Sequence, residues 1–177
     1  SQAAFTPTKS AYPKLFGGLT NTFSYGGFTL STLLTYQFGG HFLDHFEGFA
    51  ISDGARTISV NSSKDLVGNY WTPTNTTASN PLPILNNPLS SARLASTRFL
   101  HSSDFVRLKE VALSYRLPSS LTKALHVNSA SVSLTANNLF YLYAATKNKE
   151  LETPLNGFRT ADIPALRTVS FGVNVGF

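Results

Sequence analysis

The sequence contains no cysteine and no methionine. The lack of cysteine excludes a disulfide framework and thiol chemistry, and it is compatible with an oxidising cell envelope. Because no methionine stands even at the first position, we expect the chain to be processed or to be part of a longer protein. Residues 1–12 also lack the charged start and the apolar core of a secretory signal peptide.

Charge and long apolar runs are scarce as well. Charged residues make up 13% of the chain, and the net charge of +5 includes no run of Lys or Arg. The electrostatic footprint of a nucleic-acid-binding protein is therefore missing, and we predict no nucleic-acid partner. No apolar run is long enough for a membrane-spanning helix, so any crossing of a membrane would have to use strands.

Aromatic and small polar residues are what the chain has in quantity. Aromatics reach 12%, with 14 Phe, while Ser, Thr, Asn and Gly supply most of the polarity. The mean hydropathy of −0.02 shows that apolar and uncharged polar residues balance. This mixture suits strands in lipid, whose side chains alternate between an apolar outside and a small, polar inside.

The last eleven residues show this alternation most strictly. One set is apolar (Val169, Phe171, Val173, Val175, Phe177) and the other is small or polar (Thr168, Ser170, Gly172, Asn174, Gly176). Period-two alternation predicts a strand with one apolar face, which a soluble sandwich would bury as well. The chain stops on the apolar face with no tail to cover that edge. We therefore expect a neighbouring strand to pair with it, as where a membrane barrel closes.

Five segments are predicted to be strands: 15–25, 28–38, 105–117, 130–140 and 167–177. The second carries no charge. Its ten intervals give about 33 Å, which a tilt of roughly 40° reduces to the apolar height of about 25 Å of an outer-membrane barrel.

The connections alternate between short or moderate (Gly26-Gly27, 118–129) and long (41–104, 141–164). That alternation is typical of a barrel with periplasmic turns and extracellular loops.

The third segment carries charges whose direction can be predicted. Glu110 and Arg116 alternate with an apolar set: Val111, Leu113, Tyr115 and Leu117. A charge facing lipid at mid-membrane costs about 2–4 kcal/mol, so we expect Glu110 and Arg116 to face the lumen. Strict alternation puts Arg107 and Lys109 on the Val111 face, above the membrane.

Several motifs resemble one known family. They are Tyr-Gln-Phe-Gly-Gly at 36–40, Tyr-Trp-Thr-Pro at 70–73, the R-L-K-x-V-x-L-x-Y block at 107–115, Asn-Asn-Leu-Phe at 137–140 and the alternating strand at 167–177. Together they resemble the C-terminal fifth of the SusC/RagA-type TonB-dependent outer-membrane transporters of Bacteroidetes. The segment 150–154 departs from the acidic-Pro-Glu stretch expected there, so no role is carried onto it.

The resemblance implies an all-β fold. The five antiparallel strands of residues 1–177 would form the C-terminal part of a 22-stranded transmembrane β-barrel with two long extracellular loops, the plug domain being absent. It also implies TonB-dependent import of bulky nutrients, as glycan or peptide oligomers, by an integral protein of the bacterial outer membrane. The expected partners are the rest of the barrel and its plug, a SusD-like lipoprotein, TonB through the absent N-terminal part, the barrel-assembly machinery and lipid.

Two groups of residues are candidates for recognition. Asn69, Tyr70 and Trp71 lie in the first long loop, where an exposed Trp could stack on a sugar or a peptide or simply anchor the loop. The second group is the barrel-assembly signal of the last strand: Ser170, Gly172, Val175 and Phe177. Such a strand is recognised by strand pairing.

No residues indicate a cofactor, and a metal site is not favoured. His41, Asp44, His45 and Glu47 lie close in sequence, but their spacing would bring the two His together only on a helix. No hydrolase, metalloprotease, phosphate-loop or dinucleotide motif occurs, and the acidic residues are scattered, so we predict no enzyme. The alternatives are a soluble β-sandwich carbohydrate-binding or adhesin module and a small complete barrel, which needs at least eight strands.

Overall fold

A computed structural model describes residues 9–54, 61–89, 92, 94–147, 149–152, 156–160 and 163–177. The chain divides into two units. One comprises Pro13–Gly40, Ser103–Glu152 and Ile163–Phe177, and the other comprises Ser1–Tyr12, His41–Ser102 and Thr153–Asp162. Within the described ranges, no helix has the length and apolar character needed to cross a membrane.

The first of these units is built on a five-stranded sheet. Its strands are β1 (Leu15–Tyr25), β2 (Phe28–Phe38), β5 (Phe105–Arg116), β6 (Ser129–Ala144) and β8 (Thr168–Gly176). They neighbour one another in the order β1-β2-β5-β6-β8, and every neighbouring pair is antiparallel. The prediction of an all-β fold of antiparallel strands is confirmed.

The strand ends differ from the predicted ones mainly in β6. β6 continues past 140 to Ala144, where it pairs with Phe105 at the start of β5. β5 ends at Arg116, although the N–H of Leu117 still donates to the carbonyl of Ala130 at 2.9 Å. A short helix, α2 (Ser119–Ala124), follows in the connection to β6.

The turn between β1 and β2 is the two-residue hairpin that the sequence predicts. Tyr25 pairs directly with Phe28, so only Gly26 and Gly27 lie in the loop. Their φ angles are +56° and +89°. Two successive residues in the left-handed region match the right-handed twist of the flanking strands, and glycine adopts this conformation without steric cost.

The strand register separates two faces of the sheet, because directly paired residues point to the same side. One row crosses all five strands with apolar side chains: Phe23, Leu30, Leu113, Leu134 and Phe171. The adjacent row is small and mostly polar: Thr22, Ser31, Ala112, Thr135 and Ser170. The apolar row is exposed, to 64% at Phe23 and 71% at Phe171.

A bulge at Lys109 corrects one prediction. Leu33 pairs with Glu110 and Leu34 with Leu108, so Lys109 is an extra residue in β5. The alternation reverses there, and Arg107 pairs with Thr35 on the polar face. The ammonium group of Lys109 contacts the same carboxylate, Glu152, as Arg107. The prediction that both cations share the face of Val111 is therefore wrong.

The other unit contains a small sheet of three strands, in the order β4-β3-β7. The strands are β3 (His41–Asp44), β4 (Leu100–Ser102) and β7 (Phe158–Arg159); β3 pairs antiparallel with β4 and parallel with β7. Helix α1 (His45–Ala50) follows β3, and short 3-10 helices span Lys64–Leu66 and Thr97–Phe99. Phe42 and Phe99 are almost fully buried. The predicted loop 41–104 thus contains structure that the sequence did not reveal.

Candidate functional site

Glu110 and Arg116, which the sequence predicts to share one face, both lie on the polar face of the five-stranded sheet. Glu110 pairs with Leu33 and with Asn137, and Arg116 pairs with Ser131. Both therefore lie on the side opposite to the exposed apolar row. That this side is the lumen of a barrel stays a prediction.

A charged cluster lies at one end of this face, formed by Arg107, Lys109, Tyr141, Glu150 and Glu152. Nη1 of Arg107 donates to Oε1 of Glu150 at 3.1 Å and to the hydroxyl of Tyr141 at 3.2 Å. The guanidinium carbon lies 4.7 Å from the centre of the Tyr141 ring. Nζ of Lys109 lies 2.5 Å from Oε2 of Glu152, which is 3.6 Å from Nη1 of Arg107. Two cations thus face two anions around a ring.

Glu150 is the centre of this charged cluster. Its Oε1 accepts hydrogen bonds from the Tyr141 hydroxyl and from the N–H groups of Leu151 at 3.2 Å and Glu152 at 3.3 Å. Its Oε2 accepts from the N–H of Ala165 at 3.3 Å. Burial opposes ionisation of the carboxyl, but the Tyr141 hydrogen bond and the Arg107 charge outweigh it and lower the pKa of Glu150 below its ordinary value.

Sequence reasoning missed the role of this segment, although a signal was present. Arg-Leu-Lys at 107–109 and Glu-Leu-Glu at 150–152 are complementary charge patterns with the same spacing. The bulge turns the first pattern onto the polar face, where it meets the second. Complementary spacing on two segments was therefore the feature that could have identified the cluster.

The aromatic candidates of the long loop lie in a locally ordered turn. The N–H of Trp71 donates to the carbonyl of Asn80 at 2.8 Å, and the side-chain amide of Asn80 donates to the carbonyl of Asn69 at 2.7 Å. Tyr70 is half-buried, whereas Trp71 is 45% exposed. The buried Asn80 therefore anchors this turn, and the indole of Trp71 is presented to solvent.

The His-containing segment at 41–47 is used for structure. Oδ1 of Asp44 caps α1 by accepting from the N–H of Glu47 at 2.9 Å, and the ring of His45 meets Phe49 edge-on. Oε2 of Glu47 lies 2.5 Å from Nε2 of His101. Among the described residues, no group of three His, Cys, Asp or Glu side chains could hold a metal ion.

The residues of the predicted assembly signal lie on or just beyond β8, at the edge of the sheet. Ser170 and Gly172 face the polar side, and Val175 and Phe177 are exposed, Phe177 to 91%. A Cβ added at Gly172 would lie 2.7 Å from Oγ of Ser133, so the strands approach closely here. Within the described part of the chain, β8 pairs only with β6 and β1 only with β2.

An antiparallel sheet with an exposed apolar face, a polar opposite face and two edges that no other described strand pairs with defines the class: a segment of β-barrel wall. No family model matches the sequence. TonB-dependent receptor P39 of Formosa agariphila is 28% identical in an alignment of 173 residues that covers 91% of this chain and 16% of that receptor. TonB-dependent receptor P3 of the same organism is 24% identical in an alignment of 176 residues that covers 93% of this chain and again 16% of the receptor.

Solved structures show the same likeness. The chain is similar to the RagAB peptide transporter, with a TM-score of 0.77 and 27% identity over 96% of this chain and 18% of that one. The RagAB peptide importer in its open-open and closed-closed states gives 0.75 in each case. The resemblance to SusC/RagA-type TonB-dependent transporters is thereby confirmed. The chain spans about a sixth of the length of the curated relatives it matches.

Proposed function

We propose that the chain is the C-terminal wall portion of a TonB-dependent outer-membrane importer of bulky nutrients, as peptide or glycan oligomers. The observation that carries the proposal is the exposed apolar row that crosses all five strands of a sheet whose other face is polar. Only lipid, or another apolar surface, would cover such a face at low cost. Similarity to TonB-dependent receptors and to a peptide transporter supports the same function.

The two unpaired edges require further strands. Unpaired backbone groups in lipid cost several kcal/mol each, so an open sheet does not persist in a membrane. Five strands are too few to close a barrel. We therefore propose that β1 and β8 pair with strands of the same 22-stranded barrel, whose plug and TonB-contacting segment lie outside these residues.

The proposed mechanism is gated passage without bond chemistry. The connections between β2 and β5 and between β6 and β8 would be extracellular and would contact substrate and a SusD-like lipoprotein. Asn69, Tyr70 and Trp71 are the proposed contacts, and the exposed indole of Trp71 supplies a stacking surface. Glu110 and Arg116 would face the plug, which TonB pulls.

The last strand has a separate role in this proposal. Ser170, Gly172, Val175 and Phe177 would be recognised by the barrel-assembly machinery through pairing along the free edge of β8. The exposed terminal aromatic and the small residues on the polar side suit that role. The same edge would afterwards pair with the first strand of the barrel.

A soluble β-sandwich module is the competing function, and no observation favours it. A sandwich places a second sheet about 10 Å from the apolar face and buries it. Here Phe23, Phe171 and Val173 are each more than 60% exposed.

The test uses the complete protein that contains this chain. We expect it to fractionate with the outer membrane, to migrate in a heat-modifiable way in detergent, and to import fluorescent peptides or glycans only when TonB is energised. Peptide and glycan arms run in parallel identify the substrate class. Purification of this chain alone as a folded, detergent-free monomer would overturn the proposal.

A further inference from the structure

We propose that the charged cluster joins the two ends of the loop between β6 and β8 and thereby holds these ends on the polar face of the sheet, the side that would line the transport passage. This inference rests on the proposed function in one respect only, which is the existence of a passage. The closure of the loop itself follows from contacts within one unit of the chain.

The contacts of Glu150 join both ends of the loop. The carboxylate binds Arg107 of β5 and Tyr141 of β6 on one side. On the other side it accepts a hydrogen bond from Ala165, shortly before β8 begins at Thr168. A single carboxylate therefore connects two neighbouring strands with the entry and the exit of the loop.

Burial makes this connection costly to break. Arg107 is 3% exposed and Leu151, between the two acidic residues, is fully buried. Nε of Arg107 has no hydrogen-bond partner among the described residues, so the guanidinium depends on Glu150, Glu152 and the Tyr141 ring for compensation. Removing one partner of a buried ion pair leaves the other charge uncompensated and is strongly destabilising.

The bulge at Lys109 decides on which side of the wall the loop is held. Without the extra residue, Arg107 would point to the apolar side of the sheet, away from the face that carries Glu110 and Arg116. With it, the cluster lies on the polar face, the side of Glu110 and Arg116. The loop base is thus attached to the face that a barrel turns toward its passage. Arg107 acts here as a positioning residue.

The first experiment measures whether the loop is closed, independently of transport. The complete protein in lipid nanodiscs is compared by hydrogen–deuterium exchange with its Arg107→Met, Glu150→Gln and Lys147→Gln variants. The N–H of Leu151 donates to Tyr141 and Glu150, so exchange in residues 149–152 reports opening. We expect about 10- to 100-fold faster exchange for the first two variants. Exposed Lys147 lies in the same loop outside the cluster, and its variant should match the wild type.

Two further variants keep the test valid if Arg107→Met fails to fold. Lys109→Met removes a cation that is about one-third exposed, and it should raise exchange less than Arg107→Met does. Arg107→Lys should partly restore protection, because it keeps the charge but loses the planar guanidinium that lies over the Tyr141 ring. Unchanged exchange in both Lys109→Met and Glu150→Gln would overturn the closure of the loop.

The second experiment tests the passage. Ion conductance of the complete protein in planar bilayers and the KM of uptake are measured for the same variants. We expect Glu150→Gln to change the conductance and the KM while membrane insertion stays normal. Faster exchange with unaltered conductance and KM would overturn the positioning role. Absence of TonB-dependent uptake in the wild type would instead refute the proposed function, and the exchange result would stand by itself.

Discussion

At the residue scale, the position of one side chain is decided by one inserted residue. Alternation along β5 assigns Arg107 to the apolar face, and the sequence carries no local mark of the bulge that moves it. The shift becomes visible only through the pairing of Leu33 with Glu110 and of Leu34 with Leu108. The bulge allows the buried guanidinium of Arg107 to pair with Glu150 and Glu152. These partners are distant in sequence, so local residue propensities do not predict the pairing.

The ionisation of Glu150 predicts a pH dependence. Because the folded-state pKa is lowered, ionised Glu150 contributes stability that is complete above its ordinary pKa and is lost as the pH falls through the lowered one. Arg107 from β5 and Tyr141 from β6 contact its carboxylate, and the nearby charges are Glu152 and Lys109, which is paired to Glu152. Urea unfolding of the complete protein in lipid between pH 7 and pH 3 measures this. We expect the free energy of unfolding of Glu150→Gln to fall less steeply towards acid pH than that of the wild type. An equally steep fall in the variant would contradict the assignment.

The exposed indole of Trp71 predicts a loss of binding without a loss of stability. If it stacks on substrate, Trp71→Ala should weaken substrate binding by about 2- to 12-fold, the range that aromatic contacts of about 0.5–1.5 kcal/mol give. Isothermal titration of the complete protein measures this. Asn80→Ala is the comparison: it removes the hydrogen bond to the carbonyl of Asn69 and should loosen the turn itself, seen as faster amide exchange. Equal binding by Trp71→Ala and wild type would exclude the indole as a contact.

At the element scale, period-two alternation identified the long strands. Successive residues point to opposite faces of a sheet, so apolar and polar side chains alternate wherever the two faces have different surroundings. The extension of β6 to Ala144 was missed because the bulges around Asn138, whose φ is +54°, interrupt the alternation. The strands β3, β4 and β7 were missed for another reason. They have two to four residues each and pair with segments that are distant in sequence, so no local pattern predicts them.

The β1–β2 hairpin gives an element-scale prediction with an internal control. Gly27 has a φ of +89°, and a Cβ there would lie 3.0 Å from the carbonyl oxygen of Arg116 and 3.2 Å from the Tyr115 ring. Gly27→Ala should therefore lower the free energy of unfolding by about 1–3 kcal/mol. Gly26 has nothing within 4 Å of such a Cβ, and its φ of +56° suits asparagine. Gly26→Asn should stay within about 0.5 kcal/mol of the wild type in urea unfolding. Equal effects of the two substitutions would refute the turn geometry.

At the scale of the whole molecule, the composition of the two faces of the sheet predicts their surroundings, which are lipid for the apolar face and water for the polar face. Leu134 belongs to the apolar row and is 48% exposed, while its neighbour Ser133 pairs with Ser114 and Gly172 on the polar face. In a membrane barrel, Leu134→Arg sets a charge against hydrocarbon and should cost about 2–4 kcal/mol, whereas Ser133→Arg points into a hydrated lumen and should cost far less.

Urea titration of the two variants, in the complete protein refolded into lipid vesicles, compares these costs directly. Neighbouring positions on one strand share backbone, depth and strand pairing, so the difference isolates the direction of the side chain. In bilayers of increasing thickness, the Leu134→Arg penalty should grow as the residue lies deeper in hydrocarbon, and the Ser133→Arg penalty should not. A Leu134→Arg cost that is the same in water and at every bilayer thickness would mean that protein, not lipid, covers this face, and the barrel-wall assignment would fail with it.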